Sequence, residues 1–403
     1  MPRVCFWTTT FQADNQALAH YLAQQPGFEV VVAMDRPEAY LAEPVASLLP
    51  FGGKLVDRGR RSTRKLLRAL APDVLVIDNH LPAYRIAPRV LVLWHGFGWR
   101  CDDLSGTLRN LRAHVGEVTA PNPAFRWAAF GDWDRAYRIE HSGLAPTNVL
   151  ALGSPYSDLL LPGSALRSRF SREAVRGCYR IDICDRKTVT LGLTWHHGGA
   201  LAHWGNDAEL LQQFVEFVGE RQANVLVRMH DRHRYEKQDI QRMESLQIRF
   251  EHVHVKFKSE HPDSLVDLLV TDVLVSNYSS LLNAFYFTGK PSVHIEPHDA
   301  SRAEHHHRVI RRGKLVKQRI ADPATLWKLG PDQVGGLCAR SFPELCQAVD
   351  RALRDEHCCE QVARAFCERY ITDPDGTTRE RFASMLEGWV ASDLRTGLGS
   401  TAG

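Results

Sequence analysis

At 403 residues, 44% apolar and 24% charged, the chain has the composition of a soluble globular protein, and its length suits two or three domains. A net charge of only +3 excludes capture of a polyanion by bulk charge, so no nucleic-acid partner is expected. Nine scattered cysteines, odd in number and without a repeated C-x-x-C pair, indicate neither a disulfide framework nor a zinc ribbon and fit free thiols in a reducing cytoplasm.

The first ten residues, MPRVCFWTTT, lack the apolar core of a signal peptide, and no apolar run nears the ~20 residues that span a bilayer. The expected location is therefore cytoplasmic, at most peripheral on the inner membrane face. Arg3 to Trp7 reads as a strand, Asn15 to Gln24 as a helix and Phe28 to Met34 as a second strand. A basic amphipathic helix at about Ser62 to Leu70 precedes strands at Val74 to Ile77, Val90 to Leu93 and Val149 to Leu152. Short apolar strands alternating with helices argue for a parallel sheet covered on both faces.

A turn-rich break follows at Leu161 to Ser164, and then the pattern restarts. Strands are expected at Thr188 to Leu193, Asn224 to Val227, His252 to Phe257 and from Val273, with the last at Ser292 to Ile295. Helices are expected at Asp207 to Gly219, Leu265 to Val270, Pro343 to Asp355, Cys359 to Tyr370 and Thr378 to Trp389. The expected domains are 1–163, 164–391 with the C-terminal helices, and a disordered tail, 392–403. Two doubly wound halves would place the C-terminal edges of both sheets along a cleft, where open α/β sheets bind ligands. Neither half carries G-x-G-x-x-G or G-x-x-x-x-G-K-[ST], so the usual dinucleotide and P-loop phosphate cradles are missing.

Three post-strand segments could carry chemistry. In TDVLVSNYSSLLNAFYFTGKP (Thr271 to Pro291), the strand at Val273 breaks into Ser276, Asn277, Tyr278, Ser279 and Ser280 before a helical pattern. Hydroxyls at a helix start suit a phosphate or pyrophosphate, and they equally suit an N-cap. In LWHGFG, His95 sits past an apolar strand beside glycines that let a ligand approach the backbone. It reads as a general base for a hydroxyl or as a structural turn histidine. In VLVRMHDRH, Arg228 and His230 share a face if the strand continues, as a pair for a leaving pyrophosphate or as a basic surface loop.

Other signals are less defined. Trp195, His196, His197, Gly198 and Gly199 follow a strand and are candidates for the same cleft, whereas the adjacent His305, His306 and His307 make a poor single-metal site. Neither a metal nor a cofactor is expected. Arg58, Arg60, Arg61, Arg64, Lys65 and Arg68 form one basic cluster and Arg302 to Arg319 holds another. Such runs read as solvated faces or as sites for a membrane surface or phosphate-rich partner.

In this order the segments resemble the CDP-glycerol glycerophosphotransferase family of teichoic-acid primases and polymerases. The family's W-H-G corresponds to Trp94-His95-Gly96, and its G-x-P-R-x-D to Gly153 through Asp158. Its K/R-L-H-P corresponds to Arg228-Met229-His230-Asp231, and its D-x-L-I-T-D-Y-S-S to Asp272 through Ser280. Leu329-Gly330-Pro331 resembles P-G-P, and Asp375-Gly376 with Arg379, Glu380 and Arg381 resembles the terminal D-G-x-x-x-x-R.

The resemblance implies a GT-B fold, two Rossmann-like domains about a cleft. The implied activity is transfer of a polyol phosphate from a CDP-activated donor such as CDP-glycerol to a lipid-linked or glycan acceptor. His95 would be the base, His230 with Arg228 would stabilise the departing CMP, and Ser279 and Ser280 would hold the donor pyrophosphate. Trp94, Gly96, Asn277, Asp158 and Gly330 complete the implied substrate contacts.

Four positions depart from the family pattern. Asn277 replaces an aspartate, Asn283-Ala284 stand where another is usual, Asp231 replaces a proline and Tyr156 an arginine. Loss of two carboxylates makes the pocket less negative and leaves the transferred group open between glycerol phosphate, ribitol phosphate and another activated polyol or sugar. The alternatives are a GT-B nucleotide-sugar glycosyltransferase, a relative of the UDP-GlcNAc 2-epimerases, and a non-catalytic binding relative.

Overall fold

The structure, a computed structural model, describes residues 1–41, 48–78, 80–94, 105–193, 201–230, 235–258, 264–277, 279–296, 306–311, 314–319, 329–330 and 332–397. The described chain forms two compact units. One gathers residues up to Ser164 and from Glu368 onward, and the other runs from Ala165 to Cys367.

The first unit is a parallel sheet of strands β1 (Arg3–Trp7), β2 (Glu29–Met34), β3 (Lys54–Asp57), β4 (Val74–Ile77), β5 (Arg89–Leu93), β6 (Phe125–Ala129) and β7 (Val149–Ala151). Their spatial order is β3-β2-β1-β4-β5-β6-β7. Helices α1 (Ala13–Gln24), α2 (Arg61–Leu70), α3 (Ser105–Val115) and α4 (Asp132–Ser142) connect them. Strand side chains alternate between faces, and both faces are buried. Val4, Phe6, Val74 and Val76 enter one core, and Cys5, Trp7, Leu75 and Ile77 enter the other. Strand order reverses between β1 and β4, which places a topological switch point at their C-terminal ends.

The second unit repeats the plan with β8 (Thr188–Leu191), β9 (Asn224–Met229), β10 (Val253–Phe257), β11 (Val273–Ser276), β12 (Ser292–Ile295) and, after a hairpin of β13 (His306–Arg311) and β14 (Lys314–Arg319), β15 (Leu337–Ala339). The six-stranded order is β10-β9-β8-β11-β12-β15, so the switch point lies between β8 and β11. Its helices are α5 (Asp207–Glu220), α6 (Lys237–Arg249), α7 (Leu265–Val270), α8 (Ser280–Tyr286) and α9 (Phe342–Arg354). The division between the units falls within α10 (Glu360–Tyr370), and α11 (Thr378–Gly397) belongs to the first unit.

That return corrects the expected domain limits. The sequence pattern assigns 164–391 to one domain, yet Phe382, Ala383, Leu386 and Trp389 of α11 enter the core that holds Val4, Phe6 and Val32. Burying each large apolar side chain contributes about 1.5–3 kcal/mol, so the first sheet holds this helix firmly. The helix also runs to Gly397 rather than ending near Trp389, and the segment from 392 to 397 is helical instead of a tail.

One further expectation changes, and one strand appears where none was expected. Ser292–Ile295 is not the last strand, because Leu337–Ala339 extends the sheet beside it. The strand Phe125–Ala129 lacks a clean apolar pattern because Arg126 interrupts it, and that guanidinium lies 5.3 Å from the Trp389 ring.

Candidate active site

In the second unit the C-terminal sheet edge gathers the residues expected to hold a donor. His230 follows β9 and Asn277 follows β11, with only β8 between them, so the two strands are about 10 Å apart. Ser276 is buried and donates its hydroxyl to the Gly192 carbonyl at 2.6 Å, tying the end of β11 to the end of β8. Ser279 is the N-cap of α8, and Leu281 N–H donates to its hydroxyl oxygen at 3.3 Å. Ser280 opens the helix and is half-buried. The capping reading of Ser279 thus describes its local geometry, with its position at the switch point retained.

Arg228 behaves differently from the expectation of a ligand-facing pair with His230. It is buried within β9, directly opposite Lys256 of β10, and its guanidinium lies 3.1 Å from Asp267 of α7. Lys256 donates to the same carboxylate at 2.6 Å, and the Tyr179 hydroxyl donates to it at 2.6 Å. Burial pushes the Asp267 carboxyl up, but Lys256 and Arg228 outweigh it and hold the group below its ordinary value. Burial, followed by the Asp267 charge, pushes Tyr179 well above the phenol range, so it stays a neutral donor. Two cations share one buried carboxylate beneath this edge. At His230 the chain leaves the strand, and its backbone N–H donates to the Tyr235 hydroxyl at 2.9 Å.

Three more expected substrate contacts have structural surroundings. Trp94 is 8% exposed, stacks on Trp127 at 5.3 Å between centroids, and lies 5.7 Å from the guanidinium of buried Arg138. Asp134 pairs with Arg138 at 3.2 Å and accepts the Phe130 N–H, so this aromatic and ionic group locks β5 and β6 to α4. Gly330 donates its N–H to the Gln333 side chain at 2.9 Å, and its carbonyl accepts the Gln333 N–H at 2.9 Å.

Asp158 is the clearest reassignment. Its Oδ2 accepts the Arg379 N–H at 2.8 Å and Arg379 Nε at 3.1 Å, and its Oδ1 accepts the Thr378 N–H at 3.2 Å. Its side chain is fully buried, and it satisfies the free N–H groups at the start of α11. The preceding Gly153 has φ +89°, and a Cβ there would come within 2.7 Å of the Thr372 carbonyl. Asp14 accepts the Ser154 hydroxyl at 2.5 Å and the Tyr156 N–H at 2.9 Å. At the other end, Asp375 binds the Thr377 N–H and Arg381 at 2.9 Å each. The segments resembling G-x-P-R-x-D and D-G-x-x-x-x-R therefore meet each other and fasten the last helix.

Several expected positions lie outside the described residues: His95, Gly96, Trp195, His196, His197, Asp231, Tyr278, His305 and Pro331. Asp267, Lys256 and Tyr179 escape a motif search because three separate elements bring them together. A cavity bordered by Phe28, Val31, Gly53, Leu66 and Leu70 opens at the strands' N-terminal ends in the first unit. It also carries Glu29 and Lys54 and lies on the edge opposite the switch point, so it is not the candidate site.

No protein-family model matches the chain, and no curated protein matches it in sequence. Solved structures do match across both units. The wall teichoic acid polymerase TagF, soaked with CDPG, aligns with a TM-score of 0.67 at 12% identity, covering 97% of this chain and 90% of that one. Staphylococcus aureus MnaA in complex with UDP aligns at 0.57 and 10% identity, covering 97% of both chains. The Neisseria meningitidis UDP-GlcNAc 2-epimerase bound to UDP-GlcNAc aligns at 0.54 and 12%, covering 96% of this chain and 100% of that one. At these identities the likeness establishes the fold, and the GT-B class expected from the sequence is the one the chain adopts.

Proposed function

We propose that the chain is a transferase that moves a polyol phosphate, with glycerol phosphate the first candidate, from a CDP-activated donor to a hydroxyl of a lipid-linked or glycan acceptor. CMP would be released, and the product would belong to a cell-surface polymer such as teichoic acid or capsule. The observation that carries this reading is the convergence of His230, Asn277 and Ser279 at one switch-point edge. The chain's fold likeness to TagF soaked with CDPG supports it.

In this reading the start of α8 and its hydroxyls bind the donor pyrophosphate, and His230 meets the departing phosphate. Arg228 acts at one remove: held by Asp267, it is a buried cation below the edge. His95 is assigned the acceptor side on the family resemblance. Arg61, Arg64, Lys65 and Arg68 are exposed on α2 and suit an anionic membrane near a lipid-linked acceptor. Among the described residues no helix is long and apolar enough to cross a membrane.

Incubation of the protein with CDP-glycerol and a lipid-linked acceptor should release CMP. Release of UDP from a UDP-sugar, with none from CDP-glycerol, would refute the donor assignment. The second reading is a nucleotide-sugar enzyme. It is favoured by the full-length likeness to two structures bound to UDP or UDP-GlcNAc and by Asn277 where the transferase family carries an aspartate. The nucleotide product separates the two.

A further inference from the structure

The first helix begins with three buried polar residues. The loop Thr8 to Gln12 joins β1 to α1, so the helix starts at the C-terminal end of β1, beside the switch point of the first sheet. Asp14, Asn15 and Gln16 occupy its first turn and are 5%, 6% and 3% exposed. Asp14 is engaged, because its Oδ1 accepts the Ser154 hydroxyl and the Tyr156 N–H. The two carboxamides differ. Asn15 Oδ1 and Gln16 Oε1 are buried and have no hydrogen-bond partner among the described residues.

Neither amide is needed to begin the helix. The N-cap Gln12 makes no side-chain capping bond, and the first N–H groups of a helix have no partner within it. Packing holds this start instead: Phe11, 1% exposed, stacks on His20 with ring centroids 5.6 Å apart. The Thr8 hydroxyl donates to the Thr10 carbonyl at 2.7 Å and fixes the loop before it. A buried polar atom without a partner loses its hydration and regains nothing, so an apolar group of the same shape would suit the fold better. Helical side chains lean toward the N-terminus, so first-turn amides project to the same edge as the free N–H groups.

The chemistry of the turn selects the ligand. Carboxamides both donate and accept hydrogen bonds, as hydroxyls do. A helix start by itself would suit an anion. Here Asp14 stands in the same turn with Asp158 near it, and among the described residues no cation pairs with Asp14. Burial pushes the Asp14 carboxyl up to about 6, so above that pH the turn carries its own negative charge. A neutral group with several hydroxyls fits these conditions.

We propose that Asn15 and Gln16 bind the hydroxyls of a polyol or sugar at the start of α1, in a site formed by residues of the first unit. Naming that ligand as the acceptor rests on the transferase reading above, whereas the binding site stands without it.

The test uses the full chain and the variants Asn15→Leu and Gln16→Met, which keep the size of each side chain and remove its polar atoms. Both should melt at or above the wild-type temperature, since each removes a buried group that the fold leaves unpaired. In isotope-labelled protein, the two side-chain amide NMR signals are assigned as those missing from the variants. They should shift on titration with glycerol, ribitol or N-acetylglucosamine and stay in place with inorganic phosphate. With CDP-glycerol and a synthetic lipid-linked glycerol phosphate acceptor, each variant should raise the acceptor KM about 10-fold and leave the donor KM unchanged.

Wild-type amide signals that no polyol or sugar moves overturn the proposal, as do signals moved by phosphate alone. Melting more than about 2 °C below wild type in both variants would assign the amides to the fold instead. Absence of turnover from CDP-glycerol refutes the donor assignment, and the titration and melting then decide the site.

Discussion

Replacing Asp158 by Ala decides between a substrate ligand and a structural clamp. The carboxylate caps the start of α11 and pairs with Arg379, whose side chain is only 19% exposed. Loss of a helix cap costs about 1 kcal/mol. Leaving a largely buried guanidinium without its carboxylate adds about 2–3 kcal/mol, less than a fully buried pair because Arg379 retains some water. A total of about 3–4 kcal/mol should lower the melting temperature of the first unit by about 10 °C. Asp158→Asn, which keeps an acceptor oxygen but not the charge, should lose about 1–2 kcal/mol. Thermal denaturation followed by circular dichroism, with nucleotide release measured well below the transition, separates the readings. A variant that melts within 2 °C of wild type yet loses more than 100-fold in turnover would refute the structural assignment.

Three further outcomes follow from the same reasoning. Asp267→Asn should destabilise the second unit by about 3–5 kcal/mol, since two buried cations lose their shared partner. Because the fold holds this carboxyl below its ordinary 3.8, its contribution is complete above that value and is lost as pH falls through the folded value. Urea titrations of wild type and Asp267→Asn across acid pH should therefore converge. Ser279→Ala should cost about 1 kcal/mol as a lost cap, whereas Ser279→Asp should restore the cap and raise the donor KM by placing an anion against the pyrophosphate. Equal KM for both variants would show that no phosphate sits there. His20, stacked on Phe11 and pushed by burial from 6.5 down to about 4, is neutral in the fold. Its stabilising contribution is full above 6.5 and is lost as pH falls toward 4, so His20→Phe should flatten the pH dependence of unfolding in that window.

Much of the fold is written locally. Val74 to Ile77 is a continuous apolar run between turn residues, Leu265 to Val270 an apolar helix, and both occur at those limits. Buried polar pairs hide the rest. Asp132 to Ser142 reads as a charged stretch, yet Asp134 and Arg138 lie inside, neutralising each other beneath Trp94 and Trp127. The hairpin at His306–Arg311 and Lys314–Arg319 and the three-residue strand Leu337–Ala339 are too polar or too short to show a period.

For the site, sequence determined which side chains follow which strands, because the C-terminal ends of parallel strands are ligand-facing whatever the details. His230, Asn277 and Ser279 could be placed on that basis. What those groups touch was decided by tertiary structure alone. Asp158 meets Thr378 across 220 positions of sequence, and Arg228, Lys256 and Tyr179 meet at Asp267 from different elements. Periodic burial is a property of neighbouring residues and can be read along the chain. Charge pairing in a core depends on which distant segments the packing brings within about 3 Å, and only the folded molecule fixes that.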